Sequence, residues 1–381
     1  MPDLLDKAKP YFNAIPKNAK YFADNQFKTL KSVIRLDSNI YMLDYKNDYF
    51  LDEVLENGVK NLGELIAFAA KKMTFGVNLF EIGDGDFGCS TFDAFTPDGS
   101  HMLGRNFDFR EAPCFVVWTH PKNAYRSVAV ADCNFMVYGN KYNRPSPLNR
   151  INTLLAPYTC VDGINEKGLA IAVLQIKTKA TNQTDPGKKD ITTTAIIRAV
   201  LDKCATVDEA IEMFKKYNMH DSLFTRYHYQ IIDREKSVVI EYVGDRLNVI
   251  DCNSEIYADN NLESQYVSNY YVTKDYDDDR CENHGMDRMQ YVINTLTDSN
   301  CVMTETEAMD LLSRIKLNYD HPKYPWRIVS LWSAVYNSEK LTLKLAANID
   351  YKKIYTFNVF EPYQVHKKES LENDYKLEWE Y

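Results

Sequence analysis

The sequence predicts an α+β protein in which antiparallel sheets carry helices on their outer faces. Three observations lead there. Short strand-like segments come in neighbouring pairs joined by tight turns, the mark of local hairpins. Groups of such strands alternate with stretches of helical periodicity, in the order strands, helices, strands, helices, strands. And 381 residues at 45% hydrophobic and 26% charged are enough to bury one large core or two domains.

Taken in order, residues 1–75 read as mainly helical, because Leu51, Val54, Leu55, Val59, Leu62, Leu65, Ile66 and Ala69 recur at helical spacing. The segment 82–88, with Gly83, Gly85 and Gly88, breaks that pattern. Cys89–Phe95 and His101–Phe109 then form a hairpin around Thr96-Pro97-Asp98-Gly99-Ser100. Phe115–His120 and Arg126–Ala131 follow as strands. Asp162–Gly168 reads as a turn leading into Leu169–Leu174, an unalternating apolar run that predicts a strand covered on both faces. Thr178–Asp190 is polar and reads as a long exposed loop. Helices fit Thr192–Cys204 and Val207–Tyr217. A second hairpin joins Tyr229–Asp233 to Ser237–Tyr242, and Leu247–Ile250 adds a strand. Helices fit Met286–Leu296 and Glu305–Ile315, the latter opened by Thr304 and Glu307 at capping-box spacing. A third hairpin pairs Ile328–Tyr336 with Leu341–Ala346.

Composition excludes several functions. A net charge of -9 without a basic cluster does not attract nucleic acid or anionic lipid. The eight cysteines never stand in CxxC spacing, which argues against a zinc site and a compact disulfide framework; one or two disulfides are left open. Asp277-Asp278-Asp279 lacks the glycine and terminal glutamate of a calcium loop, and no phosphate-cradling glycine motif is present. No metal or cofactor is expected. The polar N-terminus lacks the features of a secretory signal, and Leu62–Ala70 is too short to span a bilayer, so a cytoplasmic setting is expected.

Chemistry points to the first hairpin. A thiol is mostly protonated at neutral pH and needs a base or a nearby cation to act as a nucleophile. The hairpin brings Arg105 and Asp108 back towards Cys89: Arg105 is placed to stabilise a thiolate, and Asp108 to hold an amine. By themselves these residues equally describe a core cysteine beside a local ion pair. A cysteine–histidine hydrolase is a further alternative, although none of the seven histidines carries a local signature of one.

Cys89-Ser90-Thr91, Asp98-Gly99 and Gly104-Arg105-Asn106-Phe107-Asp108 together resemble the start of the mature choloylglycine hydrolases. These linear amide C–N hydrolases include bile salt hydrolases and penicillin V acylases and, more distantly, acid-ceramidase-like enzymes. Arg105 and Asp108 follow Cys89 at the family's intervals of 16 and 19 residues. Asp162-Gly163-Ile164-Asn165-Glu166-Lys167-Gly168-Leu169 resembles the family's second landmark. The resemblance implies a four-layer αββα sandwich of two antiparallel sheets, the N-terminal nucleophile hydrolase fold, preceded by a helical leader. The leader would be residues 1–88 and the catalytic domain 89–381.

The resemblance also implies the site. Cys89 matches the nucleophile, Arg105 the arginine that contacts the thiolate, and Asp108 the carboxylate that binds the α-amine. Gln175 stands where the family has an oxyanion donor. Tyr257-Ala258-Asp259-Asn260-Asn261 supplies Asn260, with Asn261 beside it, and Arg288 matches a later arginine. The implied mechanism begins with attack of the Cys89 thiol on the Gly88 carbonyl, and hydrolysis of the ester-like link then frees the α-amine. That amine, with an intrinsic pKa near ~8, serves as the base for an acyl-enzyme mechanism on linear N-acyl amides. The leader would remain as an associated subunit, and homo-oligomerisation is left open. An acyltransferase on the same fold, or an unprocessed binding protein, are the alternatives. Loops Thr178–Asp190 and Asn269–Asn283 are expected to line the pocket.

Overall fold

The computed structural model describes residues 17–74, 76, 88–141, 144–147, 149–252, 265–268, 272–273, 285–321, 325–364 and 367–371. The N-terminal part holds helix α1 (Lys17–Lys31), strands β1 (Ile34–Arg35) and β2 (Ile40–Tyr45), and helices α2 (Leu51–Asn57) and α3 (Leu62–Met73). The first hairpin follows as β3 (Gly88–Phe95) and β4 (His101–Arg110), then β5 (Cys114–Thr119) and β6 (Ser127–Asp132). A 3₁₀ segment, Asn149–Tyr158, leads to β7 (Cys160–Asn165), β8 (Ala170–Lys179) and β9 (Lys189–Thr192). Helices α4 (Thr193–Lys203) and α5 (Val207–Lys216) precede β10 (Tyr217–His220), β11 (Thr225–Ile232), β12 (Ser237–Val243), β13 (Arg246–Asp251) and β14 (Tyr266–Val267). The chain continues through α6 (Met286–Asp298), α7 (Glu305–Arg314), β15 (Asn318–Asp320), β16 (Arg327–Asn337), β17 (Thr342–Ala347), β18 (Ile354–Asn358) and β19 (Lys367–Glu369).

Two sheets face each other. The first has nine strands in the order β1-β2-β5-β6-β7-β8-β11-β12-β13; the second runs β14-β3-β4-β16-β17-β18-β19, with β15 also on β16. Pleat alternation explains how the second sheet serves two cores. Cys89 and Phe107 point between the sheets, into a core shared with Val130, Ile164 and Ala172 of the first. Phe92, Ala94 and Met102 point the other way and pack with Val292, Leu296, Met309 and Leu312 of α6 and α7. Helices α4 and α5 cover the outer face of the first sheet. The result is the four-layer αββα sandwich. The capping box at Thr304 and Glu307 forms as its spacing predicts.

The structure corrects the sequence reading in four places. The N-terminal part is not helical throughout: β2 is a fully buried strand, and it pairs in parallel with β5. Helical periodicity could not reveal it, because a buried run of six residues carries no alternation. The sheets are therefore antiparallel except at the β2–β5 pair, and a separate two-stranded ribbon, β9 with β10, is parallel. Asp162–Asn165 belongs to β7, and only the residues after it turn. Thr178–Asp190 is not loop throughout, since β8 extends to Lys179 and β9 begins at Lys189. Among the described residues, no helix is long and apolar enough to cross a membrane. Cys114, Cys133, Cys160, Cys204 and Cys301 are not bonded to another cysteine.

Candidate active site

Cys89 is the second residue of β3 and is only 2% exposed. Strand register decides its neighbours. Cys89 lies opposite Phe107, Thr91 opposite Arg105, and Gly88 opposite Asp108. The side chains of Arg105 and Asp108, three residues apart in one strand, fall on opposite faces of β4. Arg105 enters the space between the sheets with the thiol, while Asp108 turns towards α6. The carboxylate is nevertheless level with the Gly88–Cys89 peptide.

Each charged group is held. The Arg105 guanidinium lies over the Phe107 ring at 5.2 Å, and Phe107 stacks on Trp332 at 4.2 Å. Arg105 Nε donates to Asp162 Oδ2 at 3.1 Å. Asp162 also accepts from Trp332 Nε1 at 2.9 Å and from the Tyr336 hydroxyl at 2.5 Å. Asp162, the first residue of the second landmark, thus anchors the arginine beside the thiol. Sequence reasoning treated that landmark as a turn only and missed this role; an acid in a run of apolar strand residues was the available signal. The rest of the landmark is architectural. Asn165 Nδ2 donates to the carbonyls of Leu201 and Cys204 at 3.1 and 2.7 Å, tying the turn to α4. Gly168 adopts φ +89°, and a Cβ there would lie 2.3 Å from the Ser338 carbonyl oxygen.

Asp108 accepts from Arg288 Nη2 at 2.9 Å and from Ser330 Oγ at 2.6 Å, with Asp108 and Arg288 both buried. Ser330 was not singled out from sequence. A Cβ on Gly88 would come within 3.2 Å of the Asp108 carboxylate and 3.1 Å of Leu317 Cδ1, so a side chain opposite Asp108 would push these neighbours back by a few tenths of an ångström. Ser268 Oγ donates to the Cys89 carbonyl at 3.2 Å, which ties the start of β3 to the segment after β14.

The thiol pKa is raised. Burial is the main cause, the Arg105 charge opposes it, and the Asp108 carboxylate adds to the rise. Hydrogen bonds from Arg105 and from the Asp108 backbone pull the other way. Burial likewise lifts the Asp162 carboxyl, against the neighbouring Arg105 charge.

Gln175 lies on β8, 6% exposed, and lines the same cavity as Cys89; its amide donates to Thr225 Oγ1 at 3.0 Å. Asn260, and Asn261 beside it, lie outside the described residues, as do Gly83–Phe87. The cavity, of about 60 Å³, is lined mainly by apolar groups: Leu62, Phe107, Phe135, Tyr158, Val161, Val173, Leu223 and Tyr227, with Cys89, Gln175, Thr159, Thr193, Thr194 and Ser222. Thr178–Asp190 contributes nothing to this lining, contrary to expectation, because it lies against β10 and Asp245 instead. Most of Asn269–Asn283 falls outside the described residues, and Val272 and Thr273 are bonded to Glu241 rather than facing the cavity.

A two-sheet sandwich between helical layers, with a cysteine at the start of an inner strand, has the architecture of the N-terminal nucleophile hydrolases. Residues 89–291, more than half of the chain, match the model of the linear amide C–N hydrolases, choloylglycine hydrolase family. The chain belongs to this family, and the match begins at Cys89 itself. A bile salt hydrolase/transferase from Clostridium perfringens (strain 13 / Type A) is 28% identical over 200 residues, 48% of this chain and 56% of that protein. The chain thus spans about half the length of this curated relative. The fold is shared with crystal structures of conjugated bile acid hydrolase from Clostridium perfringens, at a TM-score of 0.50 and 16% identity over 75% of this chain and 99% of that one. Penicillin V acylase from Agrobacterium tumefaciens aligns at a TM-score of 0.48 and 16% identity, over 72% of this chain and 87% of that one.

Proposed function

We propose that the chain is a self-processing cysteine amidase that hydrolyses the amide bond of linear N-acyl amides through an acyl-enzyme on Cys89. One observation carries the reading: Asp108 pairs with Gly88, immediately before the nucleophile. An α-amine created at Cys89 would emerge level with a buried carboxylate already held by Arg288 and Ser330.

In the first reaction, Sγ of Cys89 attacks the Gly88 carbonyl carbon. The Gly88–Cys89 amide breaks, a thioester forms, and the nitrogen of Cys89 leaves as the α-amine. Water then hydrolyses the thioester, giving a Gly88 carboxylate and returning the thiol. In the second reaction the α-amine takes the thiol proton, and Sγ attacks the substrate carbonyl. The amine leaves with the proton, and water releases the acid. The resting thiol, lifted by burial, is a poor nucleophile until that base exists. Arg105 favours the thiolate, and Gln175 and Asn260 are the candidate oxyanion donors. Asp108 orients the amine. Residues 1–88 stay attached after cleavage, because β2 is hydrogen-bonded into the first sheet and Leu43 and Tyr45 lie in the same core as Cys89.

Intact mass of the purified chain tests this. Fragments 1–88 and 89–381 are expected from the wild type, and a single uncleaved chain from Cys89→Ala. An uncleaved wild-type chain that hydrolyses acyl amides would refute the amine-base mechanism. Since the curated relative is named a hydrolase/transferase, products formed with added amine acceptors will distinguish hydrolysis from acyl transfer.

A further inference from the structure

The cavity beside Cys89 is built from both sides of the Gly88–Cys89 bond. Cys89, Phe107 and Gln175 come from the strands after it, and Leu62 from α3 before it. Leu62 opens α3 and is held in place by its surroundings. Asn61 Oδ1 accepts from the Glu64 backbone at 2.9 Å, and the Lys60 backbone donates to Glu64 Oε2 at 2.8 Å. The Val59 backbone donates to the Asp190 carbonyl of β9 at 2.9 Å, just before Thr193 and Thr194, which line the cavity too. Behind Leu62, the buried side chains Leu65, Ile66, Ala69 and Met73 fix the helix to the body. A cavity of about 60 Å³ has room for only a few water-sized groups. Its lining side chains therefore limit the size of the group that fits beside Cys89.

We propose that Leu62 sets the length of acyl group that Cys89 accepts, so that the segment severed in the first reaction forms a wall of the binding site for the second. This rests on the amidase reading. In such a site one methylene more or less changes kcat/KM by roughly 10-fold or more. Leu62→Ala removes three carbons from the wall and shifts the preferred acyl chain two to three methylenes longer, and Leu62→Phe shifts it shorter.

The test is kcat and KM of cleaved wild type, Leu62→Ala and Leu62→Phe against N-acyl aminomethylcoumarins from acetyl to palmitoyl. Opposite displacements of the chain-length optimum, carried mainly by KM, are expected. A parallel fall for every chain length, with an unmoved optimum in both variants, would overturn the inference and leave Leu62 a packing residue. If the cleaved wild type hydrolyses no member of the series, the amidase reading fails for alkanoyl amides. Calorimetric binding of free fatty acids to the same three proteins then decides the inference: a displaced length preference upholds it, and an identical one overturns it.

Discussion

Replacing Asp162 by Asn isolates a charge while leaving the shape of the site intact. The carboxylate accepts three hydrogen bonds, from Arg105 Nε, Trp332 Nε1 and the Tyr336 hydroxyl. Asparagine can keep its oxygen towards Arg105 and Trp332 and turn its amide towards Tyr336, whose hydroxyl can accept instead of donate. Packing and hydrogen-bond number survive, and what disappears is the anion that balances Arg105. Both groups have fully buried side chains. Removing one partner of such a pair leaves an uncompensated charge, at about 3–5 kcal/mol. At an m-value of about 3 kcal/mol/M or more, the urea midpoint should fall by roughly 1 M. The thiol should move the other way. Arg105 lowers the Cys89 pKa, and without Asp162 its charge is no longer shared with that carboxylate. Iodoacetamide labelling of Cys89, followed by peptide mass across pH 6–10, should show a titration displaced to lower pH. A variant with an unchanged urea midpoint and an unchanged labelling profile would refute the claim that Asp162 holds the charge of Arg105.

Three further outcomes are expected. Gly88→Ala puts a Cβ about 3.1–3.2 Å from Leu317 and the Asp108 side chain, so cleavage should slow by tenfold or more in a time course of intact mass; wild-type processing would show that the position tolerates a side chain. Arg288→Met leaves Asp108 with Ser330 but without the Arg288 charge, and a loss of about 3 kcal/mol there corresponds to roughly 10²-fold slower processing, with Arg288→Lys intermediate because it keeps a charge without the planar guanidinium. Equal rates for all three would remove Arg288 from the site. Burial raises the Asp132 carboxyl to about 7, so between about pH 4 and 7 the folded state holds a proton that the unfolded state has lost. Its contribution to stability therefore declines as pH rises through that window, by at most roughly 4 kcal/mol, and Asp132→Asn should flatten urea-midpoint profiles there.

How much of this was legible in the sequence differs by residue. The hairpin spacing located Cys89, Arg105 and Asp108, because in paired strands sequence offset converts directly into neighbourhood. Their separation of three residues already places Arg105 and Asp108 on opposite faces of β4; what the spacing could not say is the register, which sets Gly88 against Asp108 and Thr91 against Arg105. Arg288 reaches Asp108 from α6, 180 residues away, and no local signal predicts so distant a pairing. The anchoring role of Asp162 was hidden for the same reason, as its partners Trp332 and Tyr336 sit on β16. Strand β2 was missed because it lies between helices and is buried on both faces.

The internal position of Cys89 acquires a physical meaning from these contacts. In the uncleaved chain the Cys89 nitrogen is an amide, which cannot take a proton, and burial together with Asp108 holds the thiol protonated. On the proposed reading, cleavage changes one group only: the amide becomes an amine beside Asp108. That amine supplies the missing base, and in its protonated form it offsets the carboxylate that had opposed thiolate formation. Both obstacles would fall in a single step, with no rearrangement of Arg105, Asp162 or Arg288. A site assembled in advance around a bond it has still to break should therefore show the same positions for these three side chains before and after processing. Crystal structures of Cys89→Ala and of the cleaved enzyme would decide it, and a displaced Arg105–Asp162 pair in either would mean that activation depends on movement rather than on the new amine.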